Sequence, residues 1–162
     1  MTKPLLVLPL FAGLLAGAPN VAHASLSLAA SVGQGYVVSE PRGREATSFM
    51  LAPGVSIADI VRIELGVVGA LSAVKGGDDD LALQLRPMLV LTPPILPLYV
   101  RLNLAFIDPF ADDRVVAYGG ALGLGISFFD VGVFAEAGLL PRSVADTFVW
   151  VLEGRAGVYF LF

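Results

Sequence analysis

The final fifteen residues, Phe148–Phe162, read FVWVLEGRAGVYFLF and alternate strictly in polarity. Every second side chain counted back from the C-terminus is uncharged, whereas the intervening set carries both Glu153 and Arg155. A β-strand sends successive side chains to opposite faces, so this segment would have one apolar face and one charged face. Aromatic residues stand near both ends of the apolar face, with small residues between them. This arrangement is typical of a strand that crosses a bilayer with its rings at the two headgroup levels.

The last eight residues carry a more specific pattern. They consist of a polar residue, a glycine two positions later, and then an aromatic residue and a terminal Phe spaced by one. The octet resembles the C-terminal assembly signal of bacterial outer-membrane β-barrels. The resemblance implies contact with the barrel-assembly machinery during insertion, through the signal residues Arg155, Gly157, Phe160 and Phe162.

The N-terminus has the composition of an export signal. A short cationic start precedes an apolar run from Leu5 to Ala18, and Ala22-His23-Ala24 offers a small-x-small cleavage site. Two prolines and the shortness of the apolar run argue against a transmembrane helix. We therefore predict a signal peptide over residues 1–24, cleaved after Ala24, and one exported domain over residues 25–162.

The composition indicates a membrane protein without membrane helices. Hydrophobic residues make up 56% of the chain and charged residues 15%, against about a quarter charged in ordinary soluble domains. The longest uncharged runs after the signal are interrupted by several Gly or Pro, which leaves the closed barrel as the spanning structure that pairs every backbone group. The net negative charge argues against a nucleic-acid partner, and the absence of Cys excludes a disulfide framework.

Alternating segments separated by turn residues recur along the exported chain and predict an all-β fold. We count eight segments and expect an antiparallel up-and-down transmembrane β-barrel, because bacterial single-chain barrels have even strand numbers. The predicted strands cover about 26–38, 47–58, 61–71, 81–92, 98–107, 114–127, 129–139 and 148–162.

The connections between these strands differ in character. Polar loops follow the odd-numbered strands and short or apolar turns follow the even-numbered ones, which predicts periplasmic termini. Two aromatic girdles result, with Tyr36, Phe49, Phe106, Tyr118 and Trp150 near the outer rim and Phe129, Phe160 and Phe162 near the inner one. Together with the terminal octet and the signal peptide, this pattern resembles the small OmpA/OmpX-like outer-membrane barrels of the Gram-negative envelope.

Three residues fit the pattern poorly. Gln34 falls on the apolar face of the first strand. Pro53 and Pro87 fall inside the second and fourth strands, where neither has an N–H for the ladder. We therefore expect a bulge or weakened pairing at each proline.

The charges inside the predicted strands all fall on the face away from lipid. They are Arg62, Glu64, Arg86, Arg101, Asp130, Glu136, Glu153 and Arg155. An eight-stranded barrel is just wide enough for side chains to fill it, so we expect these charges to form a paired network in the lumen. Strand register suggests that Arg86 reaches Glu64 diagonally, with Arg101 close by. Arg155 is expected to lie near Asp130.

These patterns favour a non-enzymatic outer-membrane protein with a plugged lumen and a structural or surface-interaction role. One alternative is a narrow, porin-like pore lined by the same charges. Another is a soluble secreted barrel that holds an apolar ligand, with its apolar face turned inward. The only His, His23, lies in the signal peptide, and no residue constellation indicates catalysis or a cofactor.

The expected partners are outer-membrane lipids and lipopolysaccharide, and we expect the protein to be a monomer. Clustered carboxylates suit hard cations, which makes Asp78, Asp79 and Asp80 a weak candidate for a calcium-binding loop. A solvated loop that blunts a hairpin explains the same residues more simply. We therefore predict no metal site.

Overall fold

The described part of the chain is almost entirely β-strand. The computed structural model describes residues 24–39, 42–57, 60–71, 81–93, 96–110, 115–144 and 147–162. No helix within these ranges is long and apolar enough to cross a membrane. The strands are β1 (Ala24–Val37), β2 (Gly43–Ile57), β3 (Val61–Leu71), β4 (Leu81–Leu91), β5 (Leu98–Ile107), β6 (Val115–Phe128), β7 (Val131–Leu139), β8 (Arg142–Val144), β9 (Thr147–Val149) and β10 (Val151–Leu161). Residues 1–23 of the predicted signal peptide lie outside the described residues, and only its last residue, Ala24, lies within them. The signal peptide therefore stays a prediction.

Eight strands close into one antiparallel barrel in the order β1-β10-β7-β6-β5-β4-β3-β2, and β2 pairs with β1 again. The predicted eight-stranded up-and-down barrel is therefore confirmed. Following the paired residues once around the barrel from Tyr36 leads back to β1 at Leu26, ten residues away. Such a stagger requires strands that are tilted against the barrel axis, and it sets a narrow interior.

The barrel has an apolar outside and a mixed inside. Large hydrophobic side chains on the outer face are widely exposed, among them Leu122 at 67% and Leu51 at 57%. Most of the inward positions between them are buried, and they hold small, apolar, aromatic and charged residues. An inner apolar cluster is formed by Ala29, Met50, Ala52, Val68, Met88, Val90, Tyr99 and Phe134. Period-two alternation therefore sets the facing of every barrel strand, as expected for a pleated strand.

The last strand differs in detail from its prediction. It was expected to run unbroken over residues 148–162, but it breaks at Trp150 into β9 and β10. The Val38 N–H donates to the Trp150 carbonyl at 2.9 Å, and the Trp150 N–H donates to Ser39 Oγ at 3.1 Å. These two bonds replace ladder pairing at the break. The preceding segment pairs with β8 as a separate short hairpin.

Gln34 occupies an irregularity in the ladder. The register between β1 and β2 shifts between Gln34 and Tyr36, as in a β-bulge. The Gln34 amide donates to the Glu45 carbonyl, and its oxygen accepts from Thr47 Oγ1 at 3.1 Å. A side chain thus satisfies the groups that the shift takes out of the ladder, which explains a polar residue on the apolar face.

The two strand prolines interrupt the ladder on one side only. Pro53 pairs with Leu28 of β1, but the pairing of β2 with β3 is missing at Pro53 and its neighbour Ala52. Pro87 likewise pairs with Leu65 of β3, while the pairing with β5 is interrupted. The register on the two sides of each gap is unchanged, so the effect is weakened pairing and not a bulge. A missing backbone donor has this consequence.

Candidate functional site: the charged lumen

Seven charged side chains from five strands point into the barrel. They are Arg62, Glu64, Arg86, Arg101, Glu136, Glu153 and Arg155. Glu64 and Arg101 are among the most deeply buried side chains, at 1% and 2% exposure. Burying charge is costly unless it is paired, so the contacts of these groups decide what the lumen can do.

Two layers can be distinguished by their contacts. The first, called here the Glu153 layer, consists of Arg86, Glu153 and Arg155. The Glu153 carboxylate accepts from Arg86 Nη1 at 2.7 Å and from Arg155 Nη2 at 2.6 Å. One carboxylate therefore holds two guanidinium groups, and this layer carries one excess positive charge.

Neutral groups complete the hydrogen bonding of the Glu153 layer. Arg86 donates twice to Gln84 Oε1, through Nε at 3.1 Å and Nη2 at 2.8 Å. Arg155 donates to Ser48 Oγ at 2.9 Å and to Ser31 Oγ at 3.3 Å. Charge-assisted hydrogen bonds are the stronger kind, so this layer is held by a dense set of strong contacts.

The second group, called here the Glu64 layer, consists of Arg62, Glu64, Arg101 and Glu136. Arg101 Nη1 donates to Glu136 Oε1 at 2.9 Å. Glu64 lies 3.3 Å from Arg62 Nε and 3.5 Å from Arg101 Nη2, yet neither of its oxygens has a hydrogen-bond partner among the described residues. The contacts of Glu64 are thus electrostatic, without hydrogen-bond geometry.

Aromatic residues take the place of serine and glutamine in the Glu64 layer. The Tyr99 hydroxyl donates to Glu136 at 2.6 Å. The Arg62 guanidinium lies 4.6 Å from the centre of the Tyr159 ring, and that of Arg101 lies 5.3 Å from the Phe134 ring. Cation–π attraction strengthens when the cation is removed from water, so these rings offset part of the burial of the two arginines.

Glycines on neighbouring strands make room for the large side chains. In the register, Tyr99 faces Gly123, Tyr159 faces Gly132 and Arg155 faces Gly33. A methyl group added at Gly33 would lie 2.8 Å from the Arg155 guanidinium carbon, and one added at Gly123 or Gly132 would run into the tyrosine ring. Each of these three bulky side chains thus lies opposite a residue without a side chain.

Two of the predicted pairings differ from the structure. Arg86 is diagonal to Glu64 in the register, as expected, but its guanidinium extends to Glu153 across the lumen. Asp130 does not belong to the lumen network. It is exposed in the turn between β6 and β7, where Phe129 adopts a positive φ of 56°. The turn ends β6 later than predicted and removes Asp130 from the strand, so Arg155 has Glu153 as its carboxylate partner.

The barrel mouth next to the β8–β9 hairpin holds an ion pair that the sequence did not indicate. Arg142 at the start of β8 pairs with Glu45 of β2, although both were expected in solvated polar loops. Leu140 precedes the hairpin and packs in a second buried cluster with Val149 and Val151. The hairpin is therefore attached to the mouth by apolar packing on one side and an ion pair on the other.

Cavities lie at both ends of the barrel. A cavity of about 420 Å³ at the mouth next to the β8–β9 hairpin is lined by Glu45, Arg142 and Glu153 among others. A cavity of about 520 Å³ at the opposite end is lined by Arg62, Asp130 and Phe162 among others. Between them, a space of only about 10 Å³ is bordered by both charged layers, which is about the room for one water molecule.

The remaining predicted residues have definite places. Tyr36, Phe49, Tyr118 and Trp150 are exposed on the outer face at 43–64%, Phe106 and Phe160 are partly exposed, and Phe129 and Phe162 are exposed at 99% and 75%. Phe162 exchanges backbone hydrogen bonds with Leu26 at 2.9 and 3.2 Å, which closes the seam between β10 and β1. Asp78, Asp79 and Asp80 lie outside the described residues. Within the described ranges, no group of three potential metal-binding side chains occurs.

The fold and the lumen together define a small closed antiparallel β-barrel with an apolar outer face and a charged interior. No family model and no curated protein matches the chain. Among solved structures it is similar to Neisserial surface protein A, with 17% identity, a TM-score of 0.63, and coverage of 86% of this chain and 99% of that one. It is also similar to the N-terminal β-barrel domain of Pseudomonas aeruginosa OprF, with 18% identity, a TM-score of 0.52, and coverage of 86% and 100%. At these identities the likeness establishes the fold.

Proposed function

We propose that this protein is an integral outer-membrane β-barrel whose lumen is closed by charge-paired side chains and whose role is structural or surface-interacting. The observation that carries the proposal is the distribution of polarity. Leucine, valine and phenylalanine are exposed around the outside of a closed barrel, while arginine and glutamate are buried within it. Water would disfavour that arrangement, and a bilayer would stabilise it.

The outer membrane is the location that the sequence features support. The terminal octet resembles an assembly signal and the N-terminus resembles an export signal. One of the similar solved structures is named as a surface protein. In this proposal the barrel-assembly machinery recognises the terminal residues. The protein is a monomer without catalytic activity.

The soluble alternative receives little support. A barrel that stored an apolar ligand would need an apolar interior and a polar exterior. Here the two charged layers occupy the middle of the interior, and the space between them is about 10 Å³. An apolar ligand would therefore have to displace buried ion pairs.

Membrane insertion is tested by changing the outer face at two depths. Leu102 is 49% exposed near the middle of β5, and Phe128 is 72% exposed at the end of β6. We expect Leu102→Arg to lower the free energy of unfolding in lipid vesicles by about 2–4 kcal/mol, and Phe128→Arg by about 0–1 kcal/mol. Heat-dependent gel mobility reports the folded fraction during urea titration. Equal effects at the two depths, or a wild-type protein that is monomeric in water without detergent, would refute the proposal.

The second candidate, a narrow pore, is favoured by the cavities at both ends, since only the central section would have to open. The short contacts of the Glu153 layer oppose it. Planar-bilayer recording separates the two. We expect no discrete conductance steps from vesicles whose protein shows the heat-shifted gel band, and regular steps from the same preparation would establish the pore.

A further inference from the structure

The outward face of β1 and β2 carries a pair of neighbouring polar side chains, Gln34 and Thr47, called here the polar step. The described outward positions of the other barrel strands have no such pair. Gln34 and Thr47 form a hydrogen-bonded pair on the face occupied by Val32 and Phe49 one step along the strands. Among the described outward positions within the barrel strands, they are the only uncharged polar side chains other than tyrosine. Gln34 serves the bulge, whereas Thr47 is exposed.

A cation lies beyond this polar step. Arg44 pairs in register with Tyr36, whose other neighbour is the outward-facing Leu152. Since directly opposed residues share a face of the sheet, Arg44 belongs to the outer face. It is exposed, and it makes no ion pair with a described residue.

An apolar groove lies on the other side of the step. It crosses β10, β1, β2 and β3 and has a volume of about 600 Å³. Small residues, including Ala30 and Ala156, widen it between the larger Phe49, Leu51 and Val158.

The order along the face is thus cation, hydrogen-bonding pair, apolar groove. An acylated lipid with a phosphate has the same order: anionic headgroup, polar linkage, hydrocarbon chain. We propose that this surface binds one lipopolysaccharide molecule, with a phosphate at Arg44 and an acyl chain in the groove. The inference rests on the proposed function and on the predicted periplasmic termini, which together place the polar-loop end of the barrel at the outer leaflet.

Methyl NMR of the protein in nanodiscs of zwitterionic phosphatidylcholine tests the site. On titration with lipopolysaccharide, the methyl signals of Val32, Leu51 and Val158 should shift and saturate. Arg44→Gln should weaken the apparent affinity about tenfold, the loss expected for one charge-assisted contact, and Arg44→Lys should restore most of it.

The groove is tested by filling it. Ala156→Leu should abolish the saturable shifts, because the added side chain occupies the space of the acyl chain. Ala137→Leu is the matched control, since Ala137 is equally an exposed outward alanine but lies on β7, away from the groove. It should leave the titration unchanged.

The other outcomes decide against the site. Equal affinity for phosphatidylglycerol would show a surface for anionic headgroups in general and overturn the assignment to lipopolysaccharide. Shifts that survive Arg44→Gln or Ala156→Leu unchanged would also overturn it, as would absent shifts in a protein that keeps its heat-dependent gel mobility. A protein that fails to enter nanodiscs would instead refute the proposed function.

Discussion

In the Glu153 layer one carboxylate holds two guanidinium groups at 2.6 and 2.7 Å, while in the Glu64 layer the Glu64 carboxylate lies 3.3 and 3.5 Å from its two arginines. Hydroxyl and amide groups complete the first layer, and aromatic rings surround the second. The comparison shows two ways to bury arginine in a narrow barrel. One depends on short directional bonds, and the other on ring faces and a second acid, Glu136. Loss of a carboxylate should therefore have different effects in the two layers.

The largest effect is expected for Glu153→Gln. This change leaves Arg86 and Arg155 buried without a carboxylate, since neither contacts another acid in the described residues. Leaving a buried charge without its partner typically costs about 3–5 kcal/mol. The free energy of unfolding should fall by this amount in urea titrations in lipid vesicles. A loss below that of Glu64→Gln would contradict the ranking of the two layers.

A smaller effect is expected for Tyr99→Phe in the Glu64 layer. The substitution keeps the ring over Gly123 and removes only the 2.6 Å hydrogen bond to Glu136. Hydrogen bonds to charged groups contribute about 1.5–3 kcal/mol, and the same unfolding titration measures the loss. Tyr36→Phe is a suitable control because Tyr36 is exposed on the outer face, and it should change the midpoint little.

Glu64→Gln should cost about 1–2 kcal/mol, less than the usual penalty for breaking a buried pair. Glu64 has no hydrogen bond to lose, Arg101 keeps Glu136, and Arg62 keeps the Tyr159 ring. A double-mutant cycle with Arg62→Met isolates the Arg62–Glu64 coupling free energy. A coupling as large as the whole effect of Glu153→Gln would show that long ion pairs are as strong here as short ones.

The smallest effect is expected for Ser48→Ala in the Glu153 layer. Ser48 accepts one of several hydrogen bonds from Arg155, which retains Glu153 and Ser31 as partners. The expected loss is about 0.5–1.5 kcal/mol, again from the urea midpoint in vesicles. A loss comparable to that of Glu153→Gln would mean that the hydroxyl, and not the carboxylate, holds Arg155.

The sequence predicted the strand number and the facing of the strands. It placed eight charges inside the barrel, and seven of them point inward. These features follow from local alternation, which a single strand reveals by itself. The partners of the charges could not be predicted in the same way. Arg86 of β4 reaches Glu153 of β10, and those strands are not neighbours in the barrel. Only the closed shape brings them together, so arguments from adjacent strands led to Glu64 instead.

The turns account for the other differences. Asp130 continues the alternation of β7 in the sequence, but the chain turns at Phe129 and Asp130. The positive φ of Phe129 in this turn is not revealed by any sequence period. The break at Trp150 has a similar origin, because it depends on hydrogen bonds with Val38 and Ser39, the two residues that follow β1. Polar residues in 141–147 also concealed a hairpin that pairs with itself.

The glycines opposite the large lumen side chains have a consequence for how such a barrel can change over evolutionary time. The circumference is fixed by eight strands and a stagger of ten residues, so the bulk available at each level is nearly constant. A larger residue fits at Gly123 only if Tyr99 is replaced by a smaller one, and the same holds for Gly132 and Tyr159. Interior positions should therefore be exchanged in compensating pairs across adjacent strands, while the outward positions vary one at a time.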